Sequence, residues 1–291
     1  MIVKMKQTTI ILVFLGLVFF SSFSRPCLYS NPNEKDNNKH REKITIITKW
    51  QMPNCLNEIS GICWVDQERI ACVQDKQGII FIYNIPSAKI ENQIQFADSG
   101  DFEAITKTDD TYYVMRSDGY IFEICTSLKT SVAKQYHISI SETNDIEGLF
   151  YDGTKKSFLI VNRLPDPQAQ TKKSIYSFDL STKKLIDKPV YEIDISSILI
   201  ENDEKKKEVF LASDIAIHPI TSDIYLTDGI HSCILIIDIT GKIKSFIKLD
   251  KNHFPKPEGI TFSPEGDIFI SSEGIKQNGF IAKVKIENII D

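Results

Sequence analysis

The chain has 291 residues, of which 42% are hydrophobic and 25% charged, so it is long enough to enclose a large core and has the balance of an ordinary globular protein. The formal net charge of -5 shows no basic excess, and this argues against a nucleic-acid-binding protein.

The first 24 residues have the pattern of an export signal. Lys4 and Lys6 precede an apolar run from Ile10 to Phe20, and Ser22-Phe23-Ser24 offers small residues at the positions that a signal peptidase reads. The run is short for a membrane-spanning helix, which needs about 20 residues. We therefore predict a signal peptide over residues 1–24. An uncleaved N-terminal anchor is the first alternative, and lipidation at Cys27 is the second.

Residues 25–43 are predicted to be a polar linker. From Asn31 to Lys43 the sequence NPNEKDNNKHREK is almost wholly polar and cannot bury a core. No later apolar run approaches membrane-spanning length, so residues 44–291 should form the folded domain. We expect a monomer in the periplasm or cell envelope, either free or associated with the membrane through its N-terminus.

The six cysteines form no CxxC pair and lack zinc-type spacing. Four of them sit inside apolar, strand-like runs: Cys63, Cys72, Cys125 and Cys233. Small buried hydrophobes are favoured over disulfide bonds, although an exported protein would permit a bridge.

Five segments repeat one pattern: an acidic residue, a small residue and an apolar strand, then two more strands separated by turns. They begin NEISGICWV, DFEAITKT, DIEGLFYD, SDIAIHP and PEGITFSP. The strand runs are rich in Ile, Val, Phe, Tyr and Thr and are punctuated by Asp, Gly, Asn and Pro. A weaker fourth strand lies between repeats. Four antiparallel strands per repeat is the composition of a β-propeller blade, and it predicts an all-β fold.

The spacing of the acidic residues predicts five blades. The intervals are 45, 44, 67 and 44 residues between Glu58, Glu103, Glu147, Asp214 and Glu258. The long interval has about 23 extra residues, too few for a further four-stranded blade. The segments Pro165–Lys173 and Asp194–Glu208 can absorb them, the second with room for a short surface helix. Six blades, one of them degenerate, remain the alternative.

The two ends of the domain complement each other. The fifth repeat stops after its third strand, and an orphan strand, Ile44–Trp50 (ITIITKW), precedes the first repeat. If the orphan strand completes the last blade, the ring closes and exposes no sheet edge. This favours a closed propeller over an open sandwich.

The first strand of each blade lines the central channel of a propeller, so the five acidic side chains should converge there. Unpaired carboxylates would repel one another, and a hard cation would relieve the repulsion. Calcium takes six to eight oxygen ligands in flexible geometry. We therefore predict a calcium site, with first-choice ligands Glu58, Glu103, Glu147, Asp214 and Glu258.

A second tier of polar residues ends the second strands: Asp75, Arg116, Asn162, Asp228 and Glu273. Asn162, Asp228 and Glu273 could complete the calcium coordination, while Arg116 could neutralise part of the charge. Asp101 and Asp145 are either auxiliary ligands or turn residues. The competing interpretation is that acidic residues at strand starts form turns or are merely solvated.

These motifs, in this order and at this spacing, resemble the SdiA-regulated family of bacterial envelope proteins. The resemblance covers Ile44–Asp291 and rests on EISGI, DFEAI, DIEGL, SDIAIHP and PEGITFSPEGDIFISSE. It implies a five-bladed propeller distantly related to NHL repeats, with a calcium site, but it implies no established activity. The chain departs from the pattern at the insertion in the third repeat and at Asp214, which replaces Glu.

Two functions follow from these predictions. The first is a non-catalytic, calcium-stabilised propeller that binds an envelope protein or a small ligand. The second is a calcium-dependent hydrolase of lactones or esters, in which the metal polarises a carbonyl. The sequence contains no GxSxG motif, Ser/His/Asp set or phosphate-cradling glycine loop, and the binding protein is favoured.

Overall fold

Twenty-one of the strands form five antiparallel sheets of four strands or more, which are the blades of one β-propeller in the computed structural model. The structure describes residues 41–126, 133–140, 145–167, 169–198, 200–201, 207–275 and 277–289. The predicted signal peptide and most of the predicted linker lie outside these residues. The innermost strands of consecutive blades contact one another all the way around the ring.

The first blade contains β2–β5, at Ile59–Asp66, Arg69–Gln74, Gln77–Asn84 and Lys89–Ser99. The second contains β6–β9, at Phe102–Lys107, Thr111–Arg116, Tyr120–Cys125 and Lys134–His137. The third contains β10–β14, at Ile146–Asp152, Ser157–Asn162, Lys172–Asp179, Lys184–Leu185 and Tyr191–Asp194. The fourth contains β17–β20, at Asp214–Ile217, Ile224–Asp228, Cys233–Ile237 and Ile243–Lys248. The fifth contains β21–β23, at Pro257–Phe262, Ile268–Ser272 and Phe280–Ile289, together with β1, at Arg41–Gln51.

The predicted ring closure is confirmed. Strand β1 is the outermost strand of the fifth blade and pairs antiparallel with β23 from Arg41↔Ile289 to Gln51↔Phe280. The N-terminal and C-terminal strands therefore share one sheet, and the last blade is completed from the start of the domain. The strand begins three residues before the predicted Ile44, because Arg41, Glu42 and Lys43 continue the same pairing with the end of β23.

The core is divided among the five interfaces between neighbouring blades. Each interface holds its own cluster of buried apolar side chains, for example Leu159, Leu226 and Leu235 between the third and fourth blades. The cluster between the fifth and first blades includes Phe269, Phe81 and the half-buried Trp50 and Trp64. The two tryptophans thus pack between blades.

The long third interval does not form a sixth blade. The outer edge of the third blade is split into β13 and β14, which both pair with β12. The chain then forms a small two-stranded sheet from β15 (Ile200–Glu201) and β16 (Lys207–Glu208). The described residues of this segment therefore form a hairpin, where the sequence leaves room for a short surface helix. Ile200 of β15 is buried against the core between the third and fourth blades.

Five cysteines lie in the part of the chain that the structure describes, and Cys55, Cys63, Cys72 and Cys233 are free thiols. Cys63, Cys72 and Cys233 are buried within strands, as predicted for small hydrophobes. Within the described ranges, no helix is long and apolar enough to cross a membrane.

Glycines near the start of two innermost strands permit close contact between neighbouring blades. A Cβ atom on Gly61 of β2 would lie 2.6 Å from Ala104 Cα and 2.7 Å from the carbonyl oxygen of Glu103, both in β6. A Cβ atom on Gly259 of β21 would lie 2.7 Å from the carbonyl oxygen of Ser60 in β2. Side chains at these positions would push neighbouring blades apart at the axis.

We therefore expect Gly61→Ala to lower the free energy of unfolding by about 1–3 kcal/mol, because backbone atoms have to move to admit the methyl group. Gly153→Ala is the matched control, since the nearest atom to its added Cβ would be Tyr151 Cε1 at 3.6 Å. Urea unfolding of both variants measures the difference. Equal stabilities of the two variants would contradict the close approach at the axis.

Candidate functional site

The predicted acidic position coincides with a β-bulge near the start of the innermost strand. In the second blade, Phe102 pairs with Arg116 and Ala104 pairs with Met115, so Glu103 is the extra residue. A bulge releases a side chain from the regular alternation and re-aims it. The equivalent irregularity in the third, fifth and first blades places three other residues at this position: Glu147, Glu258 and Ser60.

The first blade thus departs from the predicted ring. Ser60 occupies the bulge position, and Glu58 lies two residues earlier, in the turn before β2. The side chain of Glu58 is 45% exposed and forms an ion pair with Lys76. The landmark that aligns the first repeat with the others is Gly61, not its acidic residue.

Asp214, the acidic residue of the fourth blade, is buried and bound by backbone amides. One carboxylate oxygen accepts a hydrogen bond from Ile215 N at 2.8 Å, and the other accepts one from Ile260 N of the fifth blade at 2.9 Å. Asp214 therefore connects the innermost strands of two blades, and its oxygens already have partners.

Asp228 is also buried and fully engaged. Its Oδ2 atom accepts a hydrogen bond from Leu211 N at 2.8 Å and lies 2.7 Å from His231 Nδ1. The other ring nitrogen of His231, Nε2, lies 2.6 Å from Glu208 Oε2 in the β15–β16 hairpin. This arrangement fixes the insertion to the fourth blade and does not leave Asp228 free to bind a ligand.

The remaining predicted acids belong to a larger group at one end of the channel, which we call the acidic mouth. Its carboxylates interact electrostatically with one another in an unbroken series: Glu58, Asp75, Asp101, Glu103, Asp145, Glu147, Glu258 and Glu273. Three cations lie among them: Lys76, Arg163 and Lys256. The acids outnumber the bases, so this end of the channel should attract cations.

Two basic side chains partly neutralise the innermost acids. Arg163 Nη2 lies 2.5 Å from Glu147 Oε1, and Arg163 Nε lies 3.2 Å from Asp145 Oδ2. Lys256 Nζ lies 3.0 Å from Glu258 Oε1 and 2.5 Å from Glu273 Oε1. The protein therefore carries internal counter-ions that the sequence analysis did not assign.

A recurring backbone hydrogen bond shows why Arg163 was missed. The amides of Ser117, Arg163 and Glu273 each donate to the carbonyl of the residue two before the bulge acid of their own blade, at 2.8–3.0 Å. Arg163 is therefore the structural equivalent of Glu273, whereas the repeat pattern in the sequence placed Asn162 there. Arg116 lies one position earlier and pairs with Asp118 at 2.8 Å, so it does not neutralise the acidic mouth.

Several oxygens in and beside the acidic mouth have no hydrogen-bond partner. Glu147 Oε2 and Glu258 Oε2 are buried in this way, on side chains that are 0% and 4% exposed respectively. The same holds for Asn162 Oδ1 and Asp75 Oδ1. Buried polar atoms are normally satisfied, and leaving a charged one unpaired is costly. Oxygen atoms of this kind match the preference of calcium.

The described side chains include no group of three or more His, Cys, Asp or Glu positioned to hold a metal ion between them. Arg163 and Lys256 lie against the carboxylates, where a metal ion would otherwise supply the positive charge. The carboxylate and amide oxygens are of the type that calcium prefers. Calcium binding would require Arg163 and Lys256 to give up contacts with the carboxylates.

Burial changes the protonation of the innermost acids. It raises the pKa of Glu103 to about 8, with repulsion from Asp101 and Glu258 acting in the same direction and Arg163 opposing it. Burial also raises the pKa of Glu147 well above its usual range, and the neighbouring Glu103 adds to this effect. At the rim, burial raises the pKa of Asp75 to about 6.

These shifts predict how stability depends on pH. The unfolded chain releases the Glu103 proton near pH 4.5 and the folded chain near 8, so stability falls as pH rises through that window. Glu103→Gln should therefore raise the melting temperature by about 2–6 °C at pH 8 without calcium, and by less at pH 5. Thermal unfolding at both pH values measures this. A gain that is larger at pH 5 would show that Glu103 is ionised in the folded protein.

Lys173 is a buried lysine that sequence analysis did not identify. Its Nζ atom donates hydrogen bonds to the carbonyl oxygens of Arg163 at 2.7 Å and Leu164 at 3.0 Å, and also to that of Asn162. Burial lowers the pKa of Lys173 to about 7. Lys173 therefore holds the backbone on both sides of Arg163 and fixes the end of β11.

Comparison with known proteins gives one family and a set of similar folds. The model of the SdiA-regulated family matches residues 37–277. A search of curated protein sequences found no significant match. Among solved structures, glutaminyl cyclase from Myxococcus xanthus aligns with a TM-score of 0.61 at 15% identity, over 86% of this chain and 99% of the cyclase. At this identity the likeness concerns the fold alone.

A streptogramin B lyase aligns more distantly, with a TM-score of 0.46 at 12% identity, over 86% of this chain and 74% of the lyase. The virginiamycin B lyase from Staphylococcus aureus aligns with a TM-score of 0.44 at 15% identity, over 86% of this chain and 75% of that enzyme.

Proposed function

The chain belongs to the SdiA-regulated family, and from this premise we propose that it is an exported, non-catalytic binding protein whose acidic mouth binds a calcium ion. The observation that carries the proposal is the pair of buried carboxylate oxygens, Glu147 Oε2 and Glu258 Oε2, that lack hydrogen-bond partners. Both belong to side chains in a group with an excess of negative charge. A divalent cation would supply the missing interactions and reduce the repulsion.

The ligands that we assign to calcium are the three bulge acids Glu103, Glu147 and Glu258, with Glu273 beside them. Bound calcium would take carboxylate oxygens as ligands and would supply positive charge in place of Arg163 and Lys256. Glu103 and Glu147 have raised pKa values because they are buried, so calcium binding must release protons. Calcium affinity should consequently increase as the pH rises toward 8.

Two of the described histidines, His218 and His231, support a binding role over hydrolysis. His231 has both ring nitrogens engaged, by Asp228 and Glu208. The Nδ1 atom of His218 accepts hydrogen bonds from Ile220 N and Thr221 N at 3.2 Å, and its ring packs against Phe262. Both side chains have structural roles, which makes neither well suited to act as a general base.

Thermal unfolding with and without calcium tests the metal site. At a calcium concentration of about 100 times Kd, bound ligand stabilises the folded state by about 2.7 kcal/mol, and the melting temperature should rise by about 5–10 °C. Magnesium should give a smaller shift, because it demands rigid octahedral geometry. Glu147→Gln with Glu258→Gln should abolish the calcium shift.

The control is Glu68→Gln with Glu265→Gln, which changes two exposed acids in the turns at the opposite ends of the innermost strands. This pair should retain the full calcium shift. A wild-type melting temperature that does not respond to calcium at pH 8 would refute the metal site.

Two further measurements test the rest of the proposal. Purified protein with calcium should hydrolyse none of a panel of lactones, aryl esters and phosphate esters, and turnover of any of them would favour the hydrolase. A fusion of residues 1–30 to a reporter that is active only after export should give activity, whereas Lys4→Glu with Lys6→Glu should reduce it.

A further inference from the structure

A separate pocket lies beside the acidic mouth, where the third-blade insertion begins. It has a volume of about 320 Å³ and lies between the end of β11, the loop that leads to β12 and the segment after β16. The residues that line it include the polar Asp145 and Asn162 and the apolar Leu164, Pro165, Pro167 and Val209. It is large enough for a small organic molecule.

One wall of the pocket is apolar and already exposed to solvent. Leu164 is 52% exposed and Val209 is 41% exposed, and both line the same pocket, an apolar grouping of the kind that marks binding sites. Pro165 and Pro167 extend the same wall. A ligand with a compact apolar group would cover these side chains.

The opposite side of the pocket offers acceptors and negative charge. Asn162 Oδ1 is buried without a hydrogen-bond partner. Asp145 and Asp166 also line the pocket, and the eight described residues that line it include no lysine, arginine or histidine. Two cations lie close by, and both are engaged. The Arg163 guanidinium contacts Glu147 at 2.5 Å and Asp145 at 3.2 Å, and the Lys173 ammonium donates to main-chain carbonyls. The pocket thus favours a ligand that donates hydrogen bonds and carries positive charge.

The backbone around the pocket is held in place by the protein's own hydrogen bonds. Lys173 donates to the carbonyls of three consecutive residues, Asn162 to Leu164. In the loop, Asp166 N donates to Lys172 O at 3.0 Å, and Lys172 N donates to Ala169 O at 2.7 Å. A pocket that is formed in advance loses less entropy when it binds a ligand.

We propose that this pocket binds a small organic cation, a primary ammonium group attached to a compact apolar group. The ammonium donates hydrogen bonds to Asn162 Oδ1 and the Asp145 carboxylate, and the apolar group packs on Leu164, the prolines and Val209. The inference rests on the proposed binding function and names a ligand class for it, but it does not depend on calcium. It assigns Asn162 to this pocket and not to the metal.

Binding of three matched probes tests the charge requirement. Phenethylammonium, uncharged 2-phenylethanol and anionic 3-phenylpropionate have similar apolar parts and differ at the polar end. Calorimetric titration of the full chain should give a Kd for phenethylammonium at least about tenfold lower than that for the alcohol, and no detectable binding of the acid. Equal or tighter binding of the alcohol or the acid would overturn the proposal, as would failure of all three to bind.

Substitutions test the location. Leu164→Ser and Asn162→Ala should each weaken phenethylammonium binding by about tenfold. Ile239→Ser, at a 63% exposed position in the β19–β20 turn, is the control and should leave binding unchanged. If the pocket variants bind the probe as well as wild type does, the proposed location is wrong.

The same variants separate this inference from the metal site. Leu164→Ser should retain the full calcium-dependent rise in melting temperature while it loses the probe. If the wild-type protein binds the probe but its melting temperature does not respond to calcium, the metal site alone is refuted. If the melting temperature of the wild-type protein responds to calcium but the protein does not bind the probe, the pocket alone is refuted.

Discussion

Replacing Arg163 by glutamine should lower the free energy of unfolding by about 3–5 kcal/mol at pH 8 in the absence of calcium. Arg163 lies against Glu147, which is 0% exposed, and also interacts with Glu103 and Glu258. Without the guanidinium these acids must either protonate or remain buried as unpaired charges. Denaturant unfolding gives the loss directly. The loss should be smaller at pH 5, where protonation removes the repulsion.

Calcium should rescue this variant if the metal and Arg163 neutralise the same carboxylates. Arg163→Gln should bind calcium more tightly than wild type, because the ion no longer competes with a guanidinium, and saturating calcium should restore much of the lost stability. Arg116→Gln is the matched control. Its ion pair with Asp118 lies on a partly exposed surface, and its loss should cost under about 1 kcal/mol. Equal destabilisation by the two variants would mean that Arg163 does not act as an internal counter-ion.

The sequence predicts the blades well because each blade is formed by one continuous segment of the chain, apart from β1 in the fifth blade. Each repeat contains alternating apolar residues and turn residues that specify three or four strands without reference to the rest of the chain. The closure by β1 was also predictable, since an orphan strand at one end can pair with the incomplete last repeat at the other and leave no exposed sheet edge. Between Asp194 and Glu208 the sequence leaves room for a helix, whereas the described residues pair as β15 and β16. Ile200 packs into the interface between two blades, and a local pattern does not record that contact.

The candidate site was less predictable because it depends on register at the level of one residue. Glu58 matches the acidic pattern, yet the bulge of β2 places Ser60 at the equivalent position. Similarly, Arg163 and not Asn162 occupies the position of Glu273, and only the recurring backbone hydrogen bond reveals this. Asp214 matches the pattern and lies in register, but the backbone amides of Ile215 and Ile260 occupy its oxygens.

Removing β1 should lower the stability of the domain more than any of the single substitutions does. The strand contributes ten paired positions to β23, and Ile44 and Ile46 pack against the core between the fourth and fifth blades. A chain that begins at residue 52 would expose the whole outer edge of β23 and part of this core. Because a domain is stable by only about 5–15 kcal/mol, we expect the truncated chain to lose its cooperative unfolding transition or to aggregate. A chain that begins at residue 41 is the control and should unfold cooperatively.

Complementation distinguishes a missing strand from a general failure to fold. A synthetic peptide of residues 41–51, REKITIITKWQ, should bind the truncated chain and restore its near-ultraviolet circular dichroism and cooperative unfolding. A peptide in which the inward-facing Ile44 and Ile46 are replaced by Asp should not, because neither side chain could pack on the core. The closure would be unimportant if the truncated chain melted at the temperature of the control. The ring at the acidic mouth depends on all five blades being held together, so truncation should also abolish the calcium response, and the peptide should restore both together.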